Sequence, residues 1–267
     1  LKKLLLAGLM LMTGVLAACS GGDTSRQATP DPLTLTTQAA TLIRSAETFR
    51  LDVTQTGPDY EIYTDFGAVL FRRATAQYVT PGTMQAAVRV SAAGIPVDVD
   101  VFAQGLDQWF RAIWTGNTWV NAAFAPGFDP QTLIAEDTGF QAALGAVIDI
   151  AYMGEESLET GMSVQHLRGT VAGDAVNSLL VGLIGVSGTP QIDLYIETET
   201  GYPARIALTE TEWADGSQAD EPRVWTIDIT DINAAPALDV PPGAGATQAE
   251  ATAEATPEAT AESTPDA

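Results

Sequence analysis

Residues 94–101 read Gly-Ile-Pro-Val-Asp-Val-Asp-Val. Ile95, Val97, Val99 and Val101 alternate strictly with Pro96, Asp98 and Asp100. A period of two means one apolar face and one wet face, the pattern of an antiparallel strand with a single buried side. Gly94 sits where a hairpin back to the preceding run, residues 84–92, has to turn. The same alternation recurs upstream: Phe49, Leu51 and Val53 are separated by Arg50 and Asp52, and the run stops at Gly57-Pro58. Residues 66–73 read as a further strand, with Pro81-Gly82 as a turn between strand segments. Downstream, 107–113 and 118–122 continue the meander through Gly116-Asn117. Strands are also expected at 151–158, 163–171, 192–197, 204–209 and 224–231, the middle pair turned by Thr200-Gly201.

Helical periodicity is confined to a few places. Residues 33–45 place Leu35, Ala39, Leu42 and Ile43 on one face, with Thr36 and Thr37 near the start. Asp129-Pro130 has the form of a helix N-cap followed by proline at the first helical position. Residues 138–150 carry Phe140, Ala143, Leu144, Val147 and Ile148 as one stripe. Residues 174–185 carry Val176, Leu179, Leu180, Leu183 and Ile184 over more than one face, which calls for burial on several sides or contact with a ligand. The expected fold class is therefore α+β: a large curved antiparallel sheet, a half-barrel, with helices packed in its concave side. Apolar space between sheet and helices has the character of a ligand pocket. Its expected lining is Val53, Val69, Phe71, Val88, Val99 and Val101 from the strands, and Phe140, Leu144, Val147, Val176, Leu179, Leu180 and Leu183 from the helices. Trp109, Phe110, Trp114 and Trp119 crowd one region and border an entrance or pack as core.

The ends read differently from the body. Lys2-Lys3, an apolar run over 4–15 and Leu16-Ala17-Ala18-Cys19 follow the order of a bacterial lipoprotein signal peptide. Residues 1–18 are thus the expected signal. Cys19 is the expected lipid-attachment site, and 19–32 a flexible tether with Pro30 and Pro32. The apolar run is shorter than the roughly 20 residues a membrane span needs. An acyl-anchored Cys19 places the protein outside the cytoplasm on the cell membrane. The body is expected over 33–241, and 242–267 is an Ala/Thr/Glu/Pro segment whose acids (Glu250, Glu254, Glu258, Glu262, Asp266) have no basic partners, a composition that buries no core.

Composition excludes several functions. The 267 residues carry 12 Lys+Arg against 34 Asp+Glu, a formal net charge of −22, which opposes nucleic-acid binding. A single Cys forms no internal disulfide and no thiolate zinc site. The only lysines are Lys2 and Lys3, so lysine-based covalent catalysis has no candidate in the body. His166, the one histidine, stands in a strand with no nucleophile–base–acid pattern around it. Asp98 and Asp100 share one strand face, which suits a solvated exterior better than a cation site. No catalytic residue, metal or cofactor is expected.

Gly154-Glu155-Glu156, Gly161 and the run Val164-Gln165-His166-Leu167-Arg168-Gly169-Thr170-Val171 resemble a segment of the mycobacterial LppX/LprAFG lipoprotein family. Pro81, the 94–99 hairpin, Trp119 followed by Phe128-Asp129-Pro130, and Tyr202-Pro203-Ala204-Arg205-Ile206 with Leu208-Thr209 match in the same order. The resemblance covers about 33–241. Gln165 stands where the family has Tyr, and the acidic tail departs from the family pattern. The resemblance implies a fold similar to the lipoprotein carriers LolA and LolB. It also implies a non-enzymatic role, binding an acylated lipid or glycolipid in a hydrophobic cavity and carrying or presenting it in the cell envelope, with a possible envelope transporter as partner. The alternative on the same scaffold is a sensory or protein-interaction lipoprotein, which predicts a filled interior and an apolar patch outside. An extracytoplasmic hydrolase needs a catalytic cleft for which the lone histidine leaves few options.

Overall fold

A computed structural model describes residues 29–64, 67–180, 184–213 and 215–245. Cys19, Phe66, Leu183 and the 246–267 segment lie outside these residues.

The chain enters through helix α1 (Pro32–Arg44). Its N-cap is Asp31, whose carboxylate accepts from the Thr34 backbone N–H at 2.9 Å, with Pro32 in the first turn. The threonines expected to help start the helix do not cap it. Thr36 and Thr37 donate from Oγ1 to the Pro32 and Leu33 carbonyls one turn back, because both already lie inside the helix. Strands β1 (Thr48–Thr56), β2 (Glu61–Thr64), β3 (Gly67–Val79), β4 (Thr83–Ala92), β5 (Ile95–Gln104), β6 (Asp107–Ala112) and β7 (Val120–Asn121) follow. A 3-10 turn over Pro130–Leu133 is capped by Asp129, as its sequence indicates. Helix α2 (Gly139–Gly145) leads to β8 (Ile148–Ser157) and β9 (Ser163–Thr170). The four-residue helix α3 (Gly173–Val176) runs into a 3-10 turn over Asn177–Leu180, and β10 (Gln191–Glu197), β11 (Pro203–Glu212) and β12 (Gln218–Thr230) are the last elements among the described residues.

All twelve strands form one antiparallel sheet in the order β7-β6-β5-β4-β3-β1-β12-β11-β10-β9-β8, with β2 beside the start of β3. Two meanders are thus joined through the central β1–β12 pair. Register aligns the inward side chains into rows. One row runs Leu167, Leu194, Ile206, Ile227, Val53, Ala74, Val88 and Val99; another runs Ile229, Leu51, Ala76, Ala86 and Val101. These rows and the apolar faces of α1, α2 and α3 make one core. Phe49 stacks on Tyr78 at 4.6 Å and meets Phe140 edge-on at 5.7 Å, tying the sheet to α2.

Two helices are shorter than their periodicity predicts. The stripe over 138–150 splits at Gly145: Val147 and Ile148 leave the helix, and Ile148 opens β8. Their β-branched side chains favour the extended form, and Gly169 lets that segment cross close over β9. A Cβ at Gly169 would lie 2.7 Å from both the Ile148 carbonyl oxygen and Val147 Cγ1. The stripe over 174–185 breaks because the Asn177 side chain accepts from the Val186 N–H at 2.7 Å, turning the chain back on itself. Conversely β3 runs to Val79, beyond the expected 73, since β1 pairs with it from Arg73 onward.

The outer face carries ion pairs and a second, smaller apolar layer. Phe102 and Trp109 face away from the main core and meet edge-on at 5.7 Å, with Trp119 6.5 Å from Phe102. After β12 the chain crosses this face. Its Asp239 N–H donates to Gln85 Oε1 at 2.6 Å, its carboxylate pairs with Arg111 at 2.5 Å, and Pro241 is buried. The segment is therefore a strap, bound across the outer face at Gln85, the register neighbour of Phe102, and at Arg111. Phe102→Ala is expected to destabilise the protein by about 3–5 kcal/mol, as for a buried phenylalanine in a main core. Urea unfolding measures this.

Candidate functional site

The concave side of the sheet places three small residues side by side. Ala74 and Ala76 on β3 lie next to Val88 and Ala86 on β4. Opposite larger neighbours, these alanines leave space. A cavity of about 60 Å³ lies there, lined by Leu51, Val53, Ile62, Phe71, Ala74, Ala76, Met84, Ala86, Val88, Val101, Phe124, Leu179, Leu180 and Ile184. Every lining residue is apolar, so it offers no hydrogen bond to water and favours hydrocarbon. Its volume holds a few water-sized spheres. The hollow expected from the sequence is thus small, and Leu179, Leu180 and Ile184 close it on the side facing the sheet.

Of the thirteen expected lining residues, Val53, Phe71, Val88, Val101, Leu179 and Leu180 meet around this cavity. Val69 and Val99 lie on the same inner face without lining it. Phe140, Leu144 and Val176 are buried in the core, and Val147 packs over Gly169. Leu183 and Cys19 fall outside the described residues. Sequence reasoning passed over the alanines, because Ala74, Ala76 and Ala86 carry no hydrophobic signal distinct from ordinary strand positions. It also passed over Phe124, which sits in a loop. A polar residue places it: buried Gln108 accepts from the Phe124 and Ala125 N–H groups at 3.0 and 2.9 Å and donates to the Ala125 and Phe128 carbonyls at 2.8 and 3.2 Å. Both ends of the amide are satisfied, which fixes the loop over the cavity.

The residues above the cavity are held by polar anchors. Tyr60 Oη accepts from the Gly185 N–H at 2.7 Å. Buried Glu210 accepts from the Ser187 N–H at 3.0 Å and from Trp225 Nε1 at 2.7 Å, with Arg223 Nη1 at 3.5 Å. Arg223 in turn lies over the Tyr60 and Trp213 rings at 5.2 and 4.4 Å. A glutamate on the inner face of β11 is invisible to hydropathy patterning, which places acids outside.

A larger recess, about 230 Å³, lies at the opposite end of β10–β12. Its walls include Tyr202, Pro203 and Ile232, but also Glu197, Thr200 and Asp231. Carboxylates in its wall make it a poorer fit for hydrocarbon than the fully apolar cavity.

The outer face shows no catalytic arrangement among the described residues. His166 Nδ1 lies 3.0 Å from Glu156 and Nε2 2.6 Å from Asp193, and the ring stacks on Tyr195 at 4.5 Å. Arg168 and Gln191 complete the shell of Asp193 at 2.7 and 2.8 Å. Burial opposes ionisation of Asp193, but the hydrogen bonds from His166, Arg168 and Gln191 prevail and hold its carboxyl below the usual range. Asp98 pairs with Arg89 at 2.7 Å and Asp100 with Arg111 at 2.8 Å, so both are part of the ion-paired exterior. No group of three His, Cys, Asp or Glu residues among those described is placed to hold a metal ion.

One large antiparallel sheet with short helices packed against its apolar face defines an LppX-like fold. The LppX_LprAFG lipoprotein family matches residues 31–234, and the chain belongs to that family. Among solved structures it is similar to LprF from Mycobacterium bovis (TM-score 0.58, 16% identity, 80% of this chain and 100% of that one). It is also similar to the Mycobacterium tuberculosis lipoprotein LppX (TM-score 0.51, 16% identity, 79% of this chain and 100% of that one). No curated protein matches. The family match stops at 234, before most of the strap. No helix among the described residues is long and apolar enough to cross a membrane.

Asp193 makes acid stability testable. Its lowered carboxyl contributes stability above the unfolded value of about 3.9 and loses it as pH falls through the lower folded value. Asp193→Asn is expected to cost about 1–3 kcal/mol at pH 7. The gap to the unsubstituted protein should shrink below pH 3.9, as read by denaturant melts across pH.

Proposed function

We propose that the protein is a membrane-anchored extracytoplasmic lipoprotein that binds an acylated lipid or glycolipid between sheet and helices and carries or presents it within the cell envelope. The observation that carries this reading is the alanine-floored cavity with fourteen apolar residues in its lining. Hydrocarbon binding needs no polar motif. Each buried CH₂ contributes about 0.8 kcal/mol, so ten contribute about 8 kcal/mol before the cost of making room. Room is made by moving Leu179, Leu180 and Ile184 off Ala74, Ala76 and Ala86. The described elements next to them are short, α3 and the 3-10 turn after it being four residues each, and short elements of this kind open at low free-energy cost. Lipidated Cys19 and the 19–32 tether hold the body at the membrane, with 1–18 removed as the signal and 242–267 as a charged extension. The reading includes no catalytic step and no cofactor, and an envelope transporter is the class of partner that would load or unload such a carrier.

A second reading, a protein-interaction lipoprotein without lipid transport, draws support from the small size of the cavity. Lipid extraction separates the two. Mass spectrometry of the protein purified from its membranes should find a co-purifying acylated lipid under the carrier reading. Ala86→Leu, which fills the cavity floor, should then carry several-fold less lipid while melting no lower than the unsubstituted protein. Lipid-free protein, or equal loading of Ala86→Leu, favours the second reading.

A further inference from the structure

The recess of about 230 Å³ at the end of β10–β12 is larger than the apolar cavity and has no part in the carrier reading. Pro203, Ala204 and Ile229 are buried beneath it, Tyr202 and Ile232 are half-buried in its sides, and Asp231 stands exposed at its rim. The turn that leaves β12 fixes its shape. Asp231 and Asn233 take φ of 51° and 58°, the left-handed region that Asp and Asn tolerate better than other residues with a side chain. Asn233 ties this turn to the start of β1. Its N–H donates to the Thr48 carbonyl at 2.8 Å, and its Oδ1 accepts from the Glu47 N–H at 2.8 Å. Thr48 Oγ1 donates to the Ala234 carbonyl at 2.6 Å. The wall is therefore held in place by the protein itself.

Two carboxylates in that wall lack a cation. Glu197 accepts from Thr200 Oγ1 at 2.5 Å and makes no ion pair among the described residues. The Asp231 carboxylate makes neither a hydrogen bond nor an ion pair among them. The arginines in the adjoining register are already engaged. Arg50, opposite Thr230 and within the field of Asp231, directs Nε and Nη2 to Asp52 at 2.9 and 3.2 Å. Arg205 pairs with Asp228 at 2.5 Å and Glu159 at 3.0 Å. The recess thus joins an apolar floor to uncompensated negative charge. Plain hydrocarbon leaves that charge unanswered, and an anion is repelled. No group of metal-ligating side chains stands there among the described residues.

We infer that the recess binds a methylated ammonium ion, with its N-methyl groups on Pro203, Ala204 and Ile229 and its charge held by Asp231, Glu197 and the Tyr202 ring. Aromatic rings and carboxylates attract such a cation without hydrogen bonds. A primary ammonium has three N–H donors to satisfy, and the side chains of the floor carry no acceptor; a fully methylated one has none. The volume matches about seven or eight water-sized groups, the size of choline. The same ion occurs free and as the headgroup of choline lipids. In a lipid the phosphate that follows it meets these carboxylates, so the free ion fits better.

Isothermal titration calorimetry of the full-length acylated protein tests this, in dodecyl maltoside, a detergent without an ammonium group. Choline chloride should give a saturable one-site isotherm. The neutral carbon isostere 3,3-dimethylbutanol should bind about tenfold more weakly. Asp231→Asn keeps a residue suited to the left-handed turn and should weaken choline several-fold without lowering the melting temperature; a general attraction to a chain of net charge −22 would survive that single change. Tyr202→Leu should also weaken choline several-fold. The absence of saturable choline binding overturns the inference, as does equal binding of the neutral isostere or unchanged binding to Asp231→Asn. Glycerophosphocholine separates the two sources: binding weaker than choline assigns the free ion, tighter binding assigns a lipid headgroup, and both support the site. These readouts do not involve the alanine-floored cavity, so they hold whether or not a lipid co-purifies.

Discussion

The main apolar side of a twelve-stranded sheet has more surface to hide than the helices among the described residues can cover. Helices α1, α2 and α3 are 13, 7 and 4 residues long, and at 1.5 Å per residue the longest spans about 20 Å. The inner rows and the apolar faces of the helices pack into one core. Where α1 and α2 lie over large residues such as Phe49, packing is complete. Where the sheet presents alanines, the cover is a short turn and a loop, and the packing there leaves a void. Cavity and cover both follow from that shortage of helix.

Polar groups secure what apolar packing leaves loose. Gln108 fixes the loop that carries Phe124, and Glu210 with Tyr60 fixes the 185–187 segment beside the cavity. Each anchor is a side chain holding backbone N–H groups, a contact whose net worth is on the order of 1 kcal/mol, more where the acceptor is charged. Cover held by a few such bonds can be displaced at modest free-energy cost. The outer face is built on different terms, from arginine–carboxylate pairs across strands and a strap over Phe102 and Trp109.

The sheet was legible because its alternation is regular. Residues 94–101 state the period outright, and the register of β4 with β5 follows it residue by residue. Family membership was legible from short motifs in fixed order, of which Gly169 now has a physical reason in the close crossing of 147–148. The helices were less legible, because a stripe such as 140–148 has helical spacing while its last members are β-branched and pass into a strand. The cavity was half legible. Large apolar residues announce themselves, but the space is made by Ala74, Ala76 and Ala86, and small side chains leave no hydropathy signal. Glu210 and Gln108 were illegible for the opposite reason: polar residues inside a core contradict the pattern that finds the core.

The account turns on whether the alanine floor receives hydrocarbon. A crystal structure of the protein solved with a diacylated lipid tests this most directly. The account predicts an acyl chain lying along Ala74, Ala76 and Ala86, with Leu179, Leu180 and Ile184 displaced outward and the β3–β4 register unchanged. A lipid bound elsewhere, with those three side chains still seated on the alanines, would contradict it.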